Sequence, residues 1–183
     1  KKISGDLQGG IDDYTKAIYI NPKRGGTFLF RGIAKSDIGD LQGAIEDYTK
    51  AIEIDPQDAL AYYNRGNAKS DIGDLQGALE DYTKAIEINP KYLPAFGQRG
   101  NAKNISKDYQ GAIADYTKVI ESIPQSESAY YNRGGAKYLL KDYQGAIADY
   151  TKTLEINPQN SNAYKNRGGA KYLLKDYQGA IAD

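Results

Sequence analysis

The chain has 183 residues and sets 24 basic side chains against 24 acidic ones. A neutral balance lacks the basic excess of a phosphate-backbone binder and the cationic face of a membrane-surface helix. With no Cys and no His, the chain has no disulfide framework, no thiolate metal site, and neither the commonest general base nor the commonest transition-metal ligand.

The chain starts at Lys1 and holds no Met, so it is expected to be a piece of a longer protein or a processed product. Residues 1–24 read as the tail of one helix (KKIS), a second helix, and a turn. A 34-residue unit then recurs: complete copies occupy 25–58, 59–92, 93–126 and 127–160, and 161–183 is the front part of a fifth. Pro22, Pro56, Pro90, Pro124 and Pro158 keep the phase. A strict period outranks length as a guide to organisation, so 1–183 reads as a single array without a linker. The copies at 25–58 and 59–92 share AKSDIGDLQGA, and those at 127–160 and 161–183 share NRGGAKYLLKDYQGA, which leaves 93–126 as a junction. There Pro94 stands at a helix start, where proline is tolerated, and Gly97 inside that helix is expected to be the most strained or adaptable point. Residues 132–149 and 166–183 are identical, as a recent duplication within a longer array would leave them. Neither end carries a polar capping helix, and matching ends suit head-to-tail stacking between molecules.

The copy at 59–92 shows the local code. Its first half, 59–72, carries small or apolar Ala61, Tyr62, Gly66, Ala68 and Ile72. Gly73-Asp74 then ends one helix with a residue free to take positive φ and caps the next. Leu75, Ala78, Leu79, Tyr82, Ala85 and Ile86 draw one apolar stripe at helical spacing. Asn89-Pro90 stops that helix, because proline disfavours helical geometry in the residue before it. Each unit is therefore two antiparallel helices, A and B. Gly66 and Ala78, with their copies Gly32/Ala44, Gly100/Ala112, Gly134/Ala146 and Gly168/Ala180, let A and B approach closely.

These residues resemble the tetratricopeptide repeat family, whose 34-residue signature places aromatic, Leu-Gly, Tyr, Ala, aromatic and Pro at fixed offsets. Tyr62, Gly66, Ala78, Tyr82, Ala85 and Pro90 match, and the resemblance covers the whole chain, with wording similar to bacterial arrays. Pentatricopeptide repeats fit the signature and period less well. The resemblance implies an all-α fold, a right-handed α-solenoid of antiparallel helix pairs.

Two departures from the family recur. Arg31, Arg65, Arg99, Arg133 and Arg167 replace its usual Leu, and Lys35, Lys69, Lys103, Lys137 and Lys171 replace its usual Tyr. Helix B repeats an acidic residue at Asp13, Asp47, Asp81, Asp115, Asp149 and Asp183. An arginine that is even partly buried needs a carboxylate, so an Arg–Asp ladder is expected, for example Arg65 with Asp47 or Asp81. The alternative is that these charges are solvated.

The resemblance further implies a concave groove lined by the helix A faces. Carried onto this sequence, its candidate lining is Leu29, Ile33, Asp37, Tyr63, Asn67, Asp71, Asn101, Asn104, Tyr131, Tyr138, Leu139, Lys165 and Tyr172. The first half mixes apolar side chains with Asn and Asp; the second half is aromatic and aliphatic, with Gly135 and Gly169 opening space. An apolar segment of a partner is expected on the Tyr/Leu half, with a basic or amide group near Asp37 and Asp71. Tyr138 and Tyr172 have a competing role, packing between neighbouring helices. The family's clamp for C-terminal carboxylates is not expected, because Leu29, Tyr63 or Gly97 replaces its first Lys, and only Asn67 with Asn101 matches.

No glycine-rich phosphate loop is present, and adjacent acidic pairs such as Glu46-Asp47 point to different sides of a helix. No catalysis, cofactor or metal is expected. No apolar run approaches the ~20 residues that span a bilayer, and there is no signal-peptide pattern; the compartment stays open, cytoplasmic by default. The expected role is a non-catalytic scaffold for a peptide or protein partner, without nucleic acid or membrane insertion. The alternative is a self-associating structural array within a larger protein.

Overall fold

The computed structural model describes residues 7–182, and their regular structure is all helical. In chain order the helices are α1 (Leu7–Ile20), α2 (Gly25–Asp37), α3 (Leu41–Ile54), α4 (Ala59–Asp71), α5 (Leu75–Ile88), α6 (Leu93–Ile105), α7 (Tyr109–Ser122), α8 (Glu127–Leu139), α9 (Tyr143–Ile156), α10 (Ser161–Leu173) and α11 (Tyr177–Ala182). The expected KKIS tail and Asp183 lie outside the described residues. Within each unit neighbouring helices pack on one another, as α2 on α3 and α8 on α9, and α2 also touches α4 and α8 touches α10. The fold is an all-α solenoid of helix pairs.

The chain forms two compact units, one up to Ala95 and the other from Phe96. The division falls within α6, which runs unbroken through Pro94 and Gly97. A side chain at Gly97 would meet nothing within 4 Å.

Helix ends follow from local chemistry. Asp40, Asp74, Asp108, Asp142 and Asp176 each accept the backbone N–H three residues on, at 2.9–3.0 Å, which satisfies one of the orphan donors of a helix start. The residues before Pro56, Pro90 and Pro158 are extended, closing the B helices. Between A and B the backbone turns left-handed. Gly39 and Gly73 do this at φ +87°, whereas Lys107, Lys141 and Lys175 take the same place at φ 64–65°.

The pairs α2–α3, α4–α5, α6–α7 and α8–α9 each close on one interdigitation. Tyr48, Tyr82, Tyr116 and Tyr150 of the B helices are buried, and the rings lie on Gly32, Gly66, Gly100 and Gly134 of the A helices. A Cβ built at Gly66 would stand 2.7 Å from the Tyr82 ring, and at Gly32 2.6 Å from that of Tyr48. The close approach therefore admits a ring rather than bare backbone. Ala44, Ala78, Ala112 and Ala146 are fully covered beside it.

Candidate functional site

Between the A and B helices lies a chain of buried charge. Asp47, Asp81, Asp115 and Asp149 are each 3% exposed. Each carboxylate accepts two parallel hydrogen bonds from the arginine of its own repeat: Arg31 at 2.8 and 2.6 Å, and Arg65, Arg99 and Arg133 at 2.9 and 2.7 Å. A lysine one turn on in the same A helix completes each group: Lys35, Lys69, Lys103 or Lys137, at 2.8–2.9 Å. The remaining guanidinium nitrogen of Arg31, Arg65, Arg133 and Arg167 donates to a threonine of the preceding repeat, Thr15, Thr49, Thr117 or Thr151, at 3.0–3.2 Å. Arg65 thus faces Asp81, while the preceding repeat offers Thr49 rather than Asp47. Each arginine also stacks over an aromatic three residues earlier, from Phe28 to Tyr164, at 5.5–5.7 Å. This network uses its hydrogen bonds internally; it joins α2 to α3, α4 to α5, α6 to α7 and α8 to α9, and ties neighbouring repeats within a unit.

The less uniform side chains lie on the A helices. In the first unit, the half-buried Tyr63 makes an edge contact with Tyr92, ring centroids 5.2 Å apart, and a tilted one with Tyr82 at 6.1 Å. Asn67 accepts the Tyr82 hydroxyl at 2.9 Å. Asp37 and Asp71 end α2 and α4, exposed. Ile33 is half-buried against the core. Leu29 corrects its assignment to the groove: at 5% exposure it belongs to the core cluster with Phe28 and Tyr48. A leucine has no polar tip to solvate, so it stays covered where the tyrosine at the same place in the next repeat reaches outward.

In the second unit, Asn101 accepts both the Tyr116 hydroxyl at 2.8 Å and the Asn132 amide at 3.2 Å. Asn104 is half-buried near the end of α6, with its Oδ1 turned toward the protein. Tyr131 packs against Tyr150 at 5.8 Å and accepts the Asn166 amide at 3.1 Å. Tyr138 and Tyr172 each meet the first tyrosine of the following B helix, Tyr143 and Tyr177, edge-on at 5.4 Å. Tyr172 nevertheless stays 61% exposed, and Leu139 50%. Between α8 and α10 opens a cleft of about 370 Å³ that brings together Gly135, Tyr138, Leu139, Tyr150, Lys165, Asn166 and Gly169. Burial pushes the Tyr150 hydroxyl up to about 12, and the nearby Tyr131 adds to the shift, so this ring is a neutral hydrogen-bonding group at physiological pH. Among the described residues no group of three or more acidic, His or Cys side chains is placed to hold a metal ion, and no helix is long and apolar enough to cross a membrane.

Comparison with known proteins bears on this geometry. The family model of the tetratricopeptide repeat matches residues 59–92 and 128–160, and a related repeat model matches 34–73. A crystal structure of MamA is 30% identical, covering 86% of this chain and 92% of its own, with a TM-score of 0.81. The chain belongs to the tetratricopeptide repeat family. The structure of YrrB, described as a tetratricopeptide repeat protein with an unusual peptide-binding site, superposes with a TM-score of 0.84 at 21% identity, over 92% of this chain and 87% of that one. A tetratricopeptide repeat protein from Parabacteroides merdae gives 0.82 at 22% identity, over 97% of this chain and 71% of that one. A search of curated proteins gave no match.

Within this tetratricopeptide repeat protein, sequence reasoning about the arginines left out two partners. Lys69 stands four residues after Arg65, on the same helix face, so the spacing itself signals that both cations meet one carboxylate. Thr49 is legible only once the neighbouring repeat is in place, since its hydroxyl lies across a helix–helix contact.

Proposed function

We propose that the chain is a non-catalytic scaffold that holds a peptide or protein segment on its helix A faces. The cleft between α8 and α10 carries this reading: it is open, largely aromatic and aliphatic, and edged by the Asn166 amide and the Lys165 ammonium. Tyrosine and asparagine combine contact area with hydrogen bonding. Here their tips are already fixed by internal bonds, as in Asn67–Tyr82 and Asn166–Tyr131, so less freedom is lost on binding. In the first unit, Asp37 and Asp71 stand at helix C-termini, where the macrodipole disfavours a carboxylate; a basic or amide group of the partner would relieve both. YrrB is described as binding peptide, which supports the reading for a chain of this fold.

The experiment is peptide capture on the full chain. A displayed library of random peptides is panned against the wild type, and the winners are measured by calorimetry against Tyr63→Ala and Tyr131→Ala. Loss of binding in at least one variant is expected; unchanged binding in both overturns the reading. Self-association is the competing account. Sedimentation that grows with concentration in the absence of peptide would favour it.

A further inference from the structure

The helix A glycines of the second unit fall into two kinds. Gly134 is required by packing, because an added Cβ would come within 3.0 Å of the Tyr150 ring. Gly135 and Gly169 are not. A Cβ at Gly135 would find only the Tyr150 hydroxyl at 3.8 Å, and one at Gly169 only the Tyr138 hydroxyl at 3.9 Å, both ordinary contacts. Neither residue has positive φ. Mid-helix glycine is less stable than alanine, and here neither backbone nor packing asks for it. The repeats at 59–92 and 93–126 place Asn67 and Asn101 at the same position, each covering the hydroxyl of its B-helix tyrosine. In the repeat at 127–160 Gly135 takes that position, and the Tyr150 hydroxyl, hydrogen-bonded instead to the Asn166 side chain of the next A helix, lines the cleft.

The cleft so opened, at about 370 Å³, falls within the size range of ligand pockets, roughly 300 Å³ and above. Tyr138 and Leu139 supply apolar wall, and none of the lining residues is acidic. Lys165 stands exposed at its edge and makes no ion pair among the described residues, unlike the lysines that complete the buried triads.

We propose that Gly135 and Gly169 floor a pocket for one large apolar side chain of a bound segment, and that Lys165 pairs with an acidic side chain next to it. This rests on the peptide-binding reading above and names the chemistry of its ligand: an extended segment with an aromatic or large aliphatic residue flanked by Asp or Glu.

The test uses the full chain and four amidated, acetylated decapeptides of Gly and Ser, whose central pair is Trp-Glu, Trp-Lys, Ala-Glu or Ala-Lys. Amidation removes the terminal carboxylate. Fluorescence anisotropy should rank Trp-Glu first, about tenfold tighter than Trp-Lys or Ala-Glu. Gly169→Leu should abolish the preference for Trp over Ala, and Lys165→Glu should reverse that for Glu over Lys. Circular dichroism checks that both variants remain folded, and Gly135→Ala, which the space admits, gives a milder filling of the same floor. Equal binding of the four peptides, while peptides from the random library still bind the wild type, overturns the pocket and leaves the scaffold reading standing. Preferences that survive in Gly169→Leu, Gly135→Ala and Lys165→Glu do the same. Failure of every peptide, library winners included, overturns both.

Discussion

Arg65 holds Asp81 through two parallel hydrogen bonds, Nε to Oδ2 at 2.9 Å and Nη2 to Oδ1 at 2.7 Å, sixteen residues apart in sequence and within one helix pair. Lys69 adds a second cation at 2.9 Å. Breaking such a group is costlier than never having built it, because the surviving charges remain desolvated. Asp81→Asn leaves two cations without a counter-charge and should cost about 3 kcal/mol. Arg65→Leu restores the family's usual residue and leaves Lys69 to neutralise Asp81, so it should cost less, about 1–2 kcal/mol. Urea midpoints at unchanged slope would show the order; equal midpoints for both variants would mean that the carboxylate is not the keystone.

The glycine under the Tyr82 ring gives a packing prediction. Gly66→Ala places a methyl group 2.7 Å from that ring, and the ring is too well enclosed to retreat without cost. Overpacking of about 1–3 kcal/mol should outweigh the gain in helix propensity. The same change at Gly97, where nothing lies within 4 Å, should stabilise by up to about 1 kcal/mol. Thermal melts of the two variants should therefore move in opposite directions.

The left-handed lysines give a third prediction. Lys141 occupies at φ 64° the turn position that Gly73 occupies at φ 87°. Lys141→Gly should be neutral to stabilising, and Gly73→Lys destabilising by about 1 kcal/mol. Chemical denaturation of the pair would show it. A loss of stability in Lys141→Gly would mean that the lysine side chain contributes more than its backbone costs.

Alkaline pH should weaken the fold. Tyr48 and Tyr150 are pushed up to about 12, and Tyr82 and Tyr116 upward too, chiefly by burial. Below about pH 10 each tyrosine is protonated folded or unfolded and contributes no slope. Between about pH 10 and the raised folded value the unfolded chain gives up the proton and the folded chain keeps it, so stability falls as pH rises. The loss should approach about 1 kcal/mol per pH unit for each buried tyrosine. Denaturant midpoints from pH 8 to 11.5 should be flat at first and then drop, and Tyr150→Phe should drop less steeply.

Much of this architecture was legible in the residues alone. The 34-residue period, the Asp caps, the Pro stops and the apolar stripe of each B helix are local codes, set by backbone geometry within a few residues, and together they settle an all-α solenoid of helix pairs. The pairing choices were not. Whether Arg65 takes Asp47 or Asp81, and whether a threonine fills the other side, depends on which helix faces meet at hydrogen-bond distance. Position in the repeat also could not separate Leu29, drawn into the core, from Tyr63, left half out, because burial depends on what the neighbouring helices cover. Gly134 and Gly135 are adjacent and chemically the same; one lies under a buried ring and the other opens a cleft, a distinction that exists only once α8, α9 and α10 have packed.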